Sequence, residues 1–84
     1  MNSKNMKTLD SIFKKPVQST IVWADIESLL LALGAEISEG AGPRIRIKLN
    51  DVRAVFHRPH PEKVTDKGAV ASVRRFLENA GVTV

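Results

Sequence analysis

The sequence predicts an α+β domain of order α-β-β-β-α, a three-stranded antiparallel sheet with two helices on one face, plus a short N-terminal helix. Three observations carry this. Apolar residues recur at helical spacing in two segments, one near residue 22 and one after residue 65. Between them, residues 44–49 alternate strictly between basic and aliphatic. Asn50-Asp51 then supplies a two-residue turn that folds this segment back on residues 52–57. Helices packed on one sheet face give one core and leave the other face free.

The elements follow in order. Residues 1–6 are polar and are expected to be disordered. Leu9, Ile12 and Phe13 fall at helical spacing before Pro16, so a short helix is expected at 7–14 and ends ahead of the proline. Residues 1–20 thus read as an N-terminal tail and 21–84 as the domain. Trp23, Ile26, Leu30 and Leu33 share one helical face from about Val22 to Leu33. Asp25 and Glu27 sit near its N-terminus, where the helix dipole favours negative charge, and Gly34 suits the left-handed position that ends it.

Ala35 to Glu39 alternates weakly and reads as a short strand, followed by a loop through Gly40-Ala41-Gly42-Pro43. In the next strand Arg44, Arg46 and Lys48 take one face and Ile45, Ile47 and Leu49 the other. With a two-residue turn, Leu49 pairs with Val52, Ile47 with Ala54 and Ile45 with Phe56, all towards the core. The opposite face then sets Lys48 beside Arg53, Arg46 beside Val55, and Arg44 beside His57. His57-Arg58-Pro59-His60-Pro61 cannot continue a central strand, because its two prolines donate no ladder bonds. Thr65 or Asp66 caps the last helix. Val70, Val73, Leu77 and Ala80 form its buried stripe, Gly81 is its stop, and Arg74 and Arg75 lie on the flank or exposed side.

Composition bounds the function. The chain has 84 residues, enough for one small domain that buries roughly 60–65% of its unfolded surface. It has no cysteine, and no apolar run near the ~20 residues that span a bilayer, so the expectation is a cytoplasmic protein. The formal net charge is +4, and its placement is uneven. Residues 40–61 hold Arg44, Arg46, Lys48, Arg53 and Arg58 against Asp51 alone, whereas residues 1–39 are slightly acidic. A face of Arg44, Arg46, Lys48, Arg53 and His57 repels itself unless it is solvated or meets an anion. Nucleic acid is the commonest polyanion, and a merely solvated surface is the plain alternative.

Two histidines raise the question of a metal. His57 and His60 are three apart, the nearest carboxylate after them is Glu62, and prolines stiffen the loop. Structural zinc takes four ligands and catalytic zinc three, so neither metal nor other cofactor is expected. P-loop and dinucleotide signatures are absent, since Gly40-Ala41-Gly42 is too short and precedes a strand. Phe13, Trp23, Phe56 and Phe76 all stand at core periodicity, so burial is favoured over base stacking. What remains is Arg and Lys with histidine. RNA is cut without metal when a base deprotonates the 2′-OH and cations stabilise the phosphorane. Histidines that only cap loops are the competing reading.

The stretches Trp23-Ala24-Asp25-Ile26-Glu27-Ser28-Leu29-Leu30 and Leu33-Gly34-Ala35-Glu36 precede a glycine loop and a basic strand. With Arg53-Ala54-Val55-Phe56-His57-Arg58-Pro59-His60-Pro61, Gly68-Ala69-Val70 and Arg74-Arg75-Phe76-Leu77-Glu78-Asn79-Ala80-Gly81, they resemble the HicA toxins of bacterial HicAB toxin–antitoxin systems. The resemblance covers about Ile21 to Val82, and order and spacing carry it more than any single stretch. It implies a double-stranded-RNA-binding-like fold, ribosome-independent mRNA cleavage, and neutralisation by a HicB-type antitoxin. Many members carry a Gly-Ser-His stretch whose histidine is catalytic. Here the matching stretch is Gly42-Pro43-Arg44, so Arg44 stands in that slot. Either this chain lacks nuclease activity or it uses another base. His60 matches a second family histidine.

The expectation is therefore a metal-independent endoribonuclease with His57 as base, His60 as acid or loop anchor, and Arg44 holding the phosphate with Arg46. Arg44, Arg46, Lys48, Arg53 and Arg58 are the expected RNA-binding residues. The alternatives are an RNA-binding module without catalysis and a basic module that docks an acidic protein.

Overall fold

A computed structural model describes residues 1–84 and has the element order α1 (Ser3–Phe13), α2 (Trp23–Ala32), β1 (Glu36–Glu39), β2 (Arg44–Leu49), β3 (Val52–His57) and α3 (Lys67–Asn79). The sheet is antiparallel in the order β1-β2-β3. The α+β reading and its α-β-β-β-α order are borne out, and the β2–β3 register agrees at every pair from Arg44↔His57 to Leu49↔Val52. Asn50 and Asp51 take φ of 50° and 66°, which gives the hairpin the twist its strands need. The Asn50 amide also donates to the Ala80 carbonyl at 2.8 Å and so ties the turn to the end of α3.

The first helix begins at Ser3, not at residue 7, so the expected disorder of residues 1–6 is corrected for Ser3 to Met6. Local capping and tertiary contacts explain the early start. The Asn2 side chain accepts from the Asn5 N–H at 2.8 Å. Asn5 is buried and donates to Ser28 Oγ at 3.2 Å, while Lys4 pairs with Asp25 at 3.2 Å. Ser28 and Asp25 both lie on α2, so polar residues that look unstructured alone are placed by a partner helix.

At the other end of α1, Arg74 of α3 donates to the Ile12 carbonyl at 2.9 Å and to the Lys14 carbonyl at 2.8 Å. These are carbonyls that a helix end otherwise leaves to solvent. Helix α2 has no side-chain cap; its first N–H, on Trp23, donates instead to the Lys63 carbonyl at 2.9 Å, and the Thr65 N–H donates to Ile21 at 2.8 Å. Helix α3 is capped by Asp66, which accepts from Ala69 at 2.8 Å. Gly34, at φ 95°, closes α2 with the Ala35 N–H donating back to Leu30.

One core joins all of this. Ile45, Ile47, Leu49 and Phe56 of the sheet pack with Leu9 and Ile12 of α1, Ile26, Leu29 and Leu30 of α2, and Val70, Val73, Phe76 and Leu77 of α3. Phe56 sits between Trp23 and Phe76, with ring centroids 6.0 and 5.9 Å away. Trp23, Phe56 and Phe76 are buried and Phe13 packs at the core margin, as their spacing predicts. Helix α1 lies against both α2 and α3. The other face of the sheet carries no helix.

Candidate nucleic-acid interface

The open sheet face is built by register. Strand β2 contributes Arg44, Arg46 and Lys48, and β3 contributes Arg53, Val55 and His57 directly opposite them. Strand β1 adds two residues that the hairpin reading did not include: Glu36 pairs with Lys48 and Ser38 with Arg46. The signal for them lay in the weak alternation of Glu36-Ile37-Ser38, but their register depends on how the glycine loop closes. That loop is tight. The Gly40 N–H donates to the Arg44 carbonyl at 2.8 Å, a Cβ on Gly40 would lie 3.1 Å from that oxygen, and Gly42 takes a φ of 60°.

The face is a shallow concavity of about 560 Å³ whose rim includes Glu36, Ser38, Arg46, Lys48, Arg53 and Val55. A second hollow of about 110 Å³ adjoins it through Arg46 and Val55 and runs to Arg44 and the Gly40-Ala41 loop. Together they form a trough across the strands. Val55, half exposed at 49%, is the apolar surface in its middle.

Its electrostatics are unbalanced. Arg44, Arg46, Lys48 and Arg53 face one carboxylate, Glu36, which makes no ion pair with them. Lys48 reaches only Asp51, at 4.0 Å, and Asp51 is almost fully exposed, so that pair neutralises little. Lys48 and Arg53 are direct cross-strand neighbours, an arrangement that costs a few tenths of a kcal/mol and that an anion between them relieves. Arg46 donates one N–H to the Glu39 carbonyl at 3.2 Å, leaving four donors of its guanidinium free.

The sheet register thus sets Arg44, Arg46, Lys48, Arg53 and His57 on one face, with His57 directly across the strands from Arg44, which lines the smaller hollow. It does not bring the other two expected residues there. His60 lies three residues beyond β3 in the exposed proline loop. Arg58 points to the helix side. It forks onto Glu27, with Nε to Oε2 at 2.7 Å and Nη2 to Oε1 at 3.1 Å, and reaches Glu39 with Nη1 at 2.7 Å. Its N–H also donates to the Pro43 carbonyl at 2.9 Å. Arg58 therefore fastens the end of β3 to α2, to the end of β1 and to the glycine loop. The hydrogen bond from Arg58 holds the Glu27 carboxyl below its ordinary value of 4.5; burial opposes the shift, and the Trp23 indole N–H, also bonded to Glu27, assists it.

No group of three or more His, Cys, Asp or Glu side chains is arranged to hold a metal ion. No helix is long and apolar enough to cross a membrane. Chemically, the open face offers a row of cations with a histidine as the cross-strand neighbour of Arg44, a surface that suits a phosphodiester backbone.

A family model described as the HicA toxin of bacterial toxin-antitoxin matches residues 23–82. No curated protein and no solved structure matches the chain.

Proposed function

Because the chain belongs to the HicA toxin family, and is thereby the toxin component of a toxin–antitoxin system with a cognate antitoxin, we propose that it binds mRNA on the open sheet face and cleaves it without metal. The observation that carries this reading is the cross-strand pairing of Arg44 with His57 on the cationic sheet face. The arginine that replaces the family histidine is thus set beside another histidine.

In the proposed reaction His57 accepts the proton of a ribose 2′-OH as that oxygen attacks the adjacent phosphorus. Arg44 and Arg46 stabilise the added negative charge on the phosphorane. The P–O5′ bond then breaks, the leaving oxygen takes a proton from water, and the products are a 2′,3′-cyclic phosphate and a 5′-hydroxyl. Lys48 and Arg53 hold the flanking backbone, and Arg58 keeps the end of β3 in place. A HicB-type antitoxin neutralises the toxin by covering this face, where carboxylates would complement the four cations.

The test is incubation of the purified chain with labelled mRNA in EDTA. Cleavage that leaves cyclic phosphate ends is expected, falling about 10²–10⁴-fold in His57→Ala while RNA affinity is retained. RNA that stays intact but shifts on a native gel would overturn the catalytic half. It would make the chain a binder, which the loss of the histidine from the Gly42-Pro43-Arg44 stretch favours as the second reading. RNA affinity that barely changes with salt would instead point to a basic docking module, because phosphate contacts impose a steep salt dependence.

A further inference from the structure

Helix α1 precedes the segment that the family model matches, and it carries its own cationic surface. Lys4, Lys7 and Ser11 recur at helical spacing along α1, and Lys14, the extended residue that caps its end, continues the line, giving one stripe about 15 Å long. The stripe borders a cleft of about 290 Å³ between α1 and the chain segment that leads into α2. Gln18 and Thr20 stand on the far wall, and only two of the ten lining residues are hydrophobic. Asp25 is the cleft's one carboxylate, and it is taken up by Lys4 at 3.2 Å, which leaves Lys7 and Lys14 without an acidic partner.

We infer that this cleft is a second phosphate-binding site, which holds the backbone of a single-stranded RNA independently of the sheet face. The choice of RNA as the polyanion rests on the proposed function above. The lining argues for phosphate over other partners. A protein-docking surface carries aromatic and aliphatic anchors at its centre, and a membrane-binding helix presents an apolar face beside its lysines. Here the Ser11 hydroxyl stands among the cations, and the Thr20 hydroxyl and Gln18 amide face them. Gln18 gives one N–H to the Pro16 carbonyl and keeps the other. Such groups donate hydrogen bonds to phosphate oxygens in other backbone contacts. The stripe is also held rigidly. Leu9 and Ile12 bury the opposite side of α1, Asn5 is bonded to α2, and Arg74 secures the C-terminal end. Little backbone freedom therefore remains to be lost on binding.

The test is the salt dependence of binding to a labelled oligouridine, compared between the full chain and Lys7→Gln/Lys14→Gln. Glutamine keeps the helix propensity and removes the charge. Each phosphate contact on a single strand contributes about 0.7 to the slope of log K against log salt, so the double variant is expected to lose about 1.4. The same arithmetic gives about 25-fold weaker binding at 0.1 M salt. Lys15→Gln/Lys67→Gln removes the same charge from exposed sites outside the cleft and serves as the control. Circular dichroism confirms that α1 is intact in both.

An unchanged slope, or equal losses in the control, would overturn the inference. So would a cleft variant that binds RNA normally but loses affinity for an acidic peptide or for anionic vesicles. Arg46→Gln/Lys48→Gln perturbs only the sheet face. Loss of binding there, with no effect of the α1 variant, would leave the proposed function standing and remove only the second site.

Discussion

Arg74 and Arg75 are chemically identical neighbours, yet the structure assigns them opposite energetic weights. Arg74 donates to the Ile12 carbonyl at 2.9 Å and the Lys14 carbonyl at 2.8 Å, and its guanidinium lies 6.0 Å from the Phe13 ring centroid. Arg75 is exposed and makes no ion pair or side-chain hydrogen bond. A partly buried hydrogen bond from a charged donor contributes about 1.5–3 kcal/mol. The bond to Lys14 is exposed, so water replaces it at small cost. The cation over Phe13 adds about 0.5 kcal/mol. Arg74→Ala is therefore expected to cost about 2–3 kcal/mol, which in a domain of this size lowers Tm by about 10–20 °C.

Arg75→Ala should stay within about 0.5 kcal/mol of the parent. Arg74→Lys keeps the charge but lacks the fork that spans two carbonyls, and should recover less than half of the loss. Urea and thermal unfolding followed by circular dichroism give the free energies. Amide hydrogen exchange gives their location, since the deficit should concentrate in α1. Equal destabilisation by the two alanine variants, or an Arg74→Ala loss spread evenly over the sheet, would refute the reasoning.

Two further predictions rest on polar groups in the interior. The Glu27 carboxyl is held below 4.5, chiefly by Arg58, so it adds stability above its unfolded pKa that is lost as pH falls through the lower folded value. Glu27→Gln should lower stability at pH 7 and flatten its fall on the acid side of 4.5. Trp23, the single tryptophan and itself bonded to Glu27, reports the change by fluorescence, and an unaltered acid limb would count against the network. The Thr65 hydroxyl is buried at 1% exposure and has no hydrogen-bond partner in the chain. Thr65→Val, which keeps the shape, should leave stability unchanged or raise it by about 1 kcal/mol in urea unfolding; a loss above 1 kcal/mol would show that the hydroxyl is satisfied.

What the sequence determined by itself are the features with a short period. Strict alternation over Arg44–Leu49, with a two-residue turn of types that tolerate positive φ, specifies which residues face each other across β2 and β3. A slip by one position would bury arginines and expose isoleucines. The cationic face and the Arg44–His57 pair were legible for that reason, as were α2 and α3, whose apolar stripes and glycine stops lie within one turn of each other.

The tertiary structure alone decided whatever depends on residues distant in the chain. The polar first turn of α1 is helical because Asn5 and Lys4 meet Ser28 and Asp25. Arg58 looks like one more cation on a basic strand, but the alternation that sends His57 to the open face sends Arg58 to the other. There Glu27, thirty-one positions away, and Glu39 take up its donors. Arg74 is distinguished from Arg75 by a carbonyl sixty-two positions away. Periodicity tells which side of an element a charge lies on. Whether that charge meets solvent, a carboxylate or a helix end is set by the packing of elements, which no local pattern encodes.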